Sequence, residues 1–251
     1  MTSWREYLGE FIGTAILVFI GCGSVAVSVV YYPLELWHIA LIWAFGVALA
    51  IYATHSFSHS HLNPAVTLAM VLANKCERHK IPAYFGAQLA GAFGASLLLL
   101  SLINSDLATF EATSSLIRGD SNSYRSAVMF GEFFPETVSH STACIAEGLG
   151  TFVLVLTIFL LDARNKKLSY LNPVFIGLTV GAIILVVAPY TQAGLNPARD
   201  FGPRLVAYFG GWGSAAFPYV SGSFFTVYIL SPLVACSLAY LLFSLFDKQT
   251  K

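Results

Sequence analysis

Charge is scarce in this chain. Of 251 residues only 13 are Lys or Arg and 13 are Asp or Glu, so the net charge is zero and no basic or acidic excess exists to attract nucleic acid or an acidic partner. Cysteine is rarer still. Cys22, Cys76, Cys144 and Cys236 are scattered without CxxC or CxxH spacing, which argues against a disulfide framework and against a zinc site. No clear small-residue cleavage site follows the opening "MTSWREYLGEFIGT", so that stretch reads as the start of a retained span. No nucleophile stands at a recognisable spacing from a base; the chain does not read as an enzyme, and nothing in it calls for a cofactor.

Apolar residues are what the chain has, at 57%. Runs long enough to cross a hydrocarbon layer, which takes about 20 residues, occupy 8–30, 36–55, 81–103, 141–161, 170–190 and 224–246. Two shorter apolar pieces remain, at 63–73 and 196–207. Eleven helical residues reach about 16 Å, half the hydrocarbon thickness, so each piece can enter a membrane but not cross it. The expected fold is an all-α membrane protein, one domain over 1–251, with six transmembrane helices and two re-entrant half-helices. If the spans alternate, Arg5, the clusters Lys75/Arg78/Lys80 and Arg164/Lys166/Lys167, and Lys248 with Lys251 share one side, which the positive-inside rule makes cytoplasmic together with both termini. That placement fits a cell membrane, inner or plasma. The loop at 104–140, holding Asp106, Glu111, Arg118, Asp120, Arg125, Glu132 and Glu136, falls mainly on the other side.

The chain also repeats itself. "EFIGTAILVF" at Glu10 returns as "EGLGTFVLVL" at Glu147, and each is followed by an Asn-Pro-Ala, at Asn63-Pro64-Ala65 and Asn196-Pro197-Ala198. Three spans per half is an odd number, so repeats over about 6–103 and 141–246 must lie in opposite orientations. Asn is a favoured N-cap and Pro a favoured first helical residue, so each triplet starts a helix, one from either face, and the two positive helix ends meet near the midplane. With each Asn oxygen capping its own helix, its NH2 donors are left to face a passing molecule. Such donors hold hydroxyl or water oxygens and disfavour a proton relay, which describes a pore for neutral solutes.

Charged residues in this apolar setting need a role. Arg199, on the second half-helix, fits the outer mouth of a pore, with a salt bridge to Asp200 or a loop carboxylate as the structural alternative. Glu10 and Glu147 fit as acceptors for bare backbone N–H groups of the loops before each half-helix, a proton relay being the alternative. In "HSFSHSH", His55, His59 and His61 read as pore-loop residues whose backbone carbonyls line the path, in preference to a metal site.

On these motifs the sequence resembles the major intrinsic protein family, the aquaporins and glycerol facilitators, over nearly its whole length; "HLNPAVT" and "GLNPARDFGPR" in inverted halves are highly specific. The resemblance implies a homotetramer with a pore through each subunit. It points to the glycerol-conducting branch, in which Asp200 follows the pore Arg and Arg204, Pro232 and Leu233 match a basic residue, Pro and an aliphatic residue. "IWAFGVALAIY" carries over Trp43 as the aromatic wall of the outer constriction. Ile184 and Ala193 depart from the facilitator pattern of Gly and Phe, and the set Trp43, Ile184, Ala193 and Arg199 is closer to that of the plant nodulin-like intrinsic proteins. Carbonyls of His59, Ser60, His61, Gln192, Ala193 and Gly194 complete the expected lining. The expected function is passive conduction of glycerol and other small uncharged solutes, with some water, across a lipid bilayer. A mainly water-selective channel is the nearest alternative, and an ion-coupled secondary transporter is the other.

Overall fold

The computed structural model describes residues 3–163, 166–218 and 222–247. Arg164, Lys248 and Lys251, counted above among the cytoplasmic charges, lie outside them. Among the described residues all regular structure is helical: α1 (Ser3–Val30), α2 (Leu36–Thr54), α3 (Pro64–Leu72), α4 (Ile81–Thr113), the short α5 (Tyr124–Ala127), α6 (His140–Ala163), α7 (Asn172–Thr191), α8 (Pro197–Ala207) and α9 (Ser231–Asp247), the last entered through wider turns over Phe225–Leu230. Six of these helices are long and apolar enough to cross a membrane. Their outward faces carry exposed Leu41, Phe45, Leu97, Leu102, Leu241 and Leu245, an apolar exterior that water would penalise and lipid would not.

Packing follows the repeat. Helix α1 lies against α2 and α4, α2 against α7, and α6 against α7 and α9. Two crossings need glycine. A Cβ on Gly91 of α4 would sit 2.2 Å from the Phe11 carbonyl of α1, and one on Gly177 of α7 would sit 2.2 Å from the Ala44 carbonyl of α2, so these backbones touch only because no side chain intervenes. The short helices cross over: α3, from the first half, packs chiefly on α9, and α8, from the second, on α4. Each half-helix is therefore gripped by a long helix of the other half.

One boundary moves. The apolar run ends at residue 103, yet α4 continues to Thr113. Ile103, Leu107 and Glu111 recur every fourth residue and are all buried, so one stripe extends the helix past the apolar run. Glu111 then accepts from the Arg118 guanidinium and the Ser126 hydroxyl, and Arg118 lies 4.1 Å over the Trp212 ring. What read as a polar loop is a packed cap, with Met129 and Phe130 inside it.

Candidate pore and constriction

Asn63 and Asn196 precede α3 and α8 with extended backbones and cap them as expected. Asn63 Oδ1 accepts from Ala65 N at 2.8 Å, and Asn196 Oδ1 accepts from Ala198 N at 3.1 Å and Arg199 N at 3.2 Å, with Pro64 and Pro197 opening the helices. The two caps also meet. Asn63 Nδ2 donates to the Leu195 carbonyl at 2.9 Å and Asn196 Nδ2 donates to the Leu62 carbonyl at 2.7 Å. This corrects the expectation that both N–H groups of each amide face the passing molecule: one of each is used to tie the two motifs together, leaving one for the cavity.

The loops before the half-helices hang on the two glutamates. Glu10, fully buried, accepts from His61 N and Leu62 N at 2.9 and 2.7 Å and from Gln88 Nε2 at 2.8 Å. Glu147, equally buried, accepts from Gly194 N and Leu195 N, both at 2.8 Å. Three residues after each Glu, the repeated Gly makes room for the Leu of Leu-Asn-Pro-Ala: a Cβ on Gly13 would lie 2.4 Å from the Leu62 side chain, and one on Gly150 would lie 2.5 Å from that of Leu195. The duplicated "E-x-x-G" is thus a socket for the duplicated loop. These loops need one. Ser60, Leu62, Gln192, Ala193 and Leu195 all have φ between 51° and 63°, a conformation unfavourable for residues with a Cβ and characteristic of sites where backbone geometry serves function.

Between these elements lies a cavity of about 150 Å³, room for several waters or one small polyol at a time. Trp43, Ile184, Ala193 and Arg199 all line it, as do His59, Ser60, His61, Gly194, Asn63 and Asn196; Leu17, Val47, Ile158 and Val180 give it an apolar wall. Gln192 departs from expectation. It lines the adjoining cavity, where its side-chain Oε1 accepts from Phe133 N at 2.6 Å, so it ties down the loop after α5. Trp43, Ile184 and Arg199 border both cavities. The Arg199 guanidinium rests 4.3 Å from the Trp43 ring centroid, a cation–π contact. His61 Nδ1 lies 3.2 Å from the Thr67 hydroxyl, and its ring faces His59 and Tyr84. His55 is exposed in the turn after α2.

Both readings of Arg199 are realised together: it lines the cavity and it pairs with a loop carboxylate, Glu132. Asp200 turns away from it to Arg204, pairing at 2.7 Å with both groups fully buried. That pair grips the loop, since Asp200 Oδ1 accepts from Glu132 N at 2.8 Å and Arg204 donates to the Glu132 carbonyl at 2.6 Å. In the sequence Glu132 is one acid among several in a polar loop, and no local pattern links it to α8. Gln88 was also missed. Its Nε2 bridges Glu10 and the Thr67 hydroxyl, and only a polar residue inside an apolar run hinted at it.

The comparisons with known proteins agree with this architecture. The family model described as Major intrinsic protein matches residues 1–243. The glycerol uptake facilitator protein of Pseudomonas aeruginosa is 38% identical over 233 residues, covering 92% of this chain and 82% of the relative. The propanediol uptake facilitator PduF of Salmonella typhimurium is 37% identical over 229 residues, covering 90% of this chain and 86% of its own. Among solved structures, the aquaglyceroporin from Plasmodium falciparum superposes with a TM-score of 0.74 at 28% identity, covering 98% of this chain and 95% of that one. With its six apolar helices, its paired Asn-Pro-Ala caps and a family match over almost its full length, the chain is a multi-pass integral membrane protein and belongs to the major intrinsic protein family.

Proposed function

We propose that the chain is a passive, bidirectional channel for glycerol and other small uncharged solutes, with some water, that rejects protons and ions. The observation that carries this reading is the pair of Asn amides, each capping a half-helix, in one cavity with the Trp43–Arg199 constriction. A hydroxyl oxygen accepts from the second N–H of Asn63 or Asn196, while carbons slide along Trp43, Ile184, Val47 and Val180. The helix ends place partial positive charge at the same point, which repels cations and interrupts a proton relay. Relatives named for glycerol and propanediol uptake support the solute class. The reading includes inverted repeats over about 6–103 and 141–246, a homotetramer in the cell membrane and cytoplasmic termini.

The test is a stopped-flow panel of glycerol, urea and water on proteoliposomes, with Ala193→Phe and Ile184→Gly alongside. Ala193→Phe fills one corner of the constriction and should slow glycerol several-fold more than water, whereas Ile184→Gly should speed it. If neither substitution alters the order of solutes, the constriction is misplaced. Fast water flux with glycerol no faster than in empty vesicles would make this a water channel instead.

A further inference from the structure

Glu132 belongs to none of the motifs that define the pore, yet it is the residue that meets the pore arginine. It sits on the loop after α5, is buried, lines the adjoining cavity with Trp43, Ile184, Gln192 and Arg199, and forms an ion pair with Arg199 whose two side chains are only 6% and 7% exposed. Its position is fixed from both ends of its peptide unit: Asp200 accepts from its N–H and Arg204 donates to its carbonyl. The next residue is fixed too, through Gln192 and Phe133 N. A carboxylate held this rigidly is aimed.

We propose that Glu132 is a specificity-determining positioning residue, a fifth member of the outer constriction that acts on solutes through Arg199. Three consequences follow from the geometry. The carboxylate occupies guanidinium N–H groups, so fewer remain for solute hydroxyls. It offsets the guanidinium charge at the narrowest part of the path, so the field a solute dipole meets there is that of a pair and not of a lone cation. It also holds the guanidinium near the Trp43 face, where the 4.3 Å separation leaves no room for a solute between the two, so the aperture depends on how firmly Glu132 keeps Arg199 in place.

The assignment has a signature that mere structural support lacks. Burial pushes the Glu132 carboxyl up to about 7, with Asp200 and Glu147 pushing the same way and Arg199 and Arg204 pulling against them. The Cys22 thiol of α1 and the Tyr228 phenol share this surrounding. Above about pH 7 Glu132 is ionised and the pair with Arg199 is complete; below it the carboxyl is protonated and the guanidinium is released to solutes.

The inference rests on the channel reading and is tested with it. Water and glycerol permeabilities are measured by stopped flow on proteoliposomes of the full chain between pH 5.5 and 8.5, for the wild type, Glu132→Gln and Glu132→Asp. At pH 8.5 Glu132→Gln should change the water-to-glycerol ratio at least threefold. The wild-type ratio should drift toward the Glu132→Gln value as pH falls through about 7, Glu132→Gln should be flat, and Glu132→Asp should keep a pH-dependent ratio. A wild type that conducts with a ratio independent of pH, or a Glu132→Gln that matches it throughout, overturns the assignment while leaving the channel reading intact. If the variants fail to fold, the wild-type profile alone decides. A wild type that passes neither solute faster than empty vesicles overturns both.

Discussion

Replacing Glu147 by Gln removes one formal charge and one acceptor from a fully buried site while keeping the side-chain shape. In the native protein each carboxylate oxygen accepts one backbone N–H at 2.8 Å, from Gly194 and Leu195. Gln has one acceptor oxygen, so its NH2 must face the other backbone N–H, donor against donor. The remaining bond also loses its charge assistance. Losing one bond to a charged acceptor and leaving a buried N–H unpaired sums to about 2–4 kcal/mol. For a chain of this size that lowers the unfolding midpoint by roughly 5–15 °C. The assay is thermal unfolding of the detergent-solubilised channel, with solute fluxes measured on the fraction that folds. Because Glu147 supports the loop and does not line the cavity, folded variant should keep the wild-type order of solutes. An unchanged midpoint would refute the socket role, and a proton leak at unchanged stability would revive the relay that Glu147 could otherwise form.

Other substitutions test other joints of the structure. Glu10→Gln should cost as much as Glu147→Gln or more, because Glu10 also accepts from Ser58 and Gln88; the same unfolding measurement checks it. Gly177→Leu should prevent the α2–α7 crossing, since even a Cβ would lie 2.2 Å from the Ala44 carbonyl, and the yield of folded protein in size-exclusion chromatography should collapse. Asp200→Asn leaves the fully buried Arg204 without its counter-charge, a loss of about 3–5 kcal/mol in unfolding free energy. Its unfolding midpoint should therefore fall further than that of Glu132→Gln.

Much of this was legible in the sequence because membrane physics leaves few choices. Length and apolarity identified six spans, Asn-Pro identified two helix starts, and the equivalent placement of Glu10 and Glu147 in the two halves identified the two anchors, since a carboxylate in an apolar run needs donors and bare loop N–H groups are the donors at hand. Hydropathy could not see α4 continuing to Thr113, because that stripe uses Ile103, Leu107 and Glu111 amid polar neighbours. Nor could it divide the Asn amides into one N–H for the opposing motif and one for the cavity, which depends on how closely two distant segments meet. Glu132 was hidden for the same reason. Its partners Arg199, Asp200 and Arg204 lie far along the chain, and only the folded loop brings its carboxylate to them.

The most direct test of the central claim is glycerol-driven volume change in proteoliposomes of the purified protein, with internal pH recorded at the same time by an entrapped dye under a proton gradient. The account predicts rapid shrinkage in hyperosmotic glycerol, reswelling much faster than in empty vesicles and indifferent to sodium or proton gradients, and no added proton flux. Reswelling no faster than in empty vesicles, or reswelling that requires an ion gradient, would contradict it.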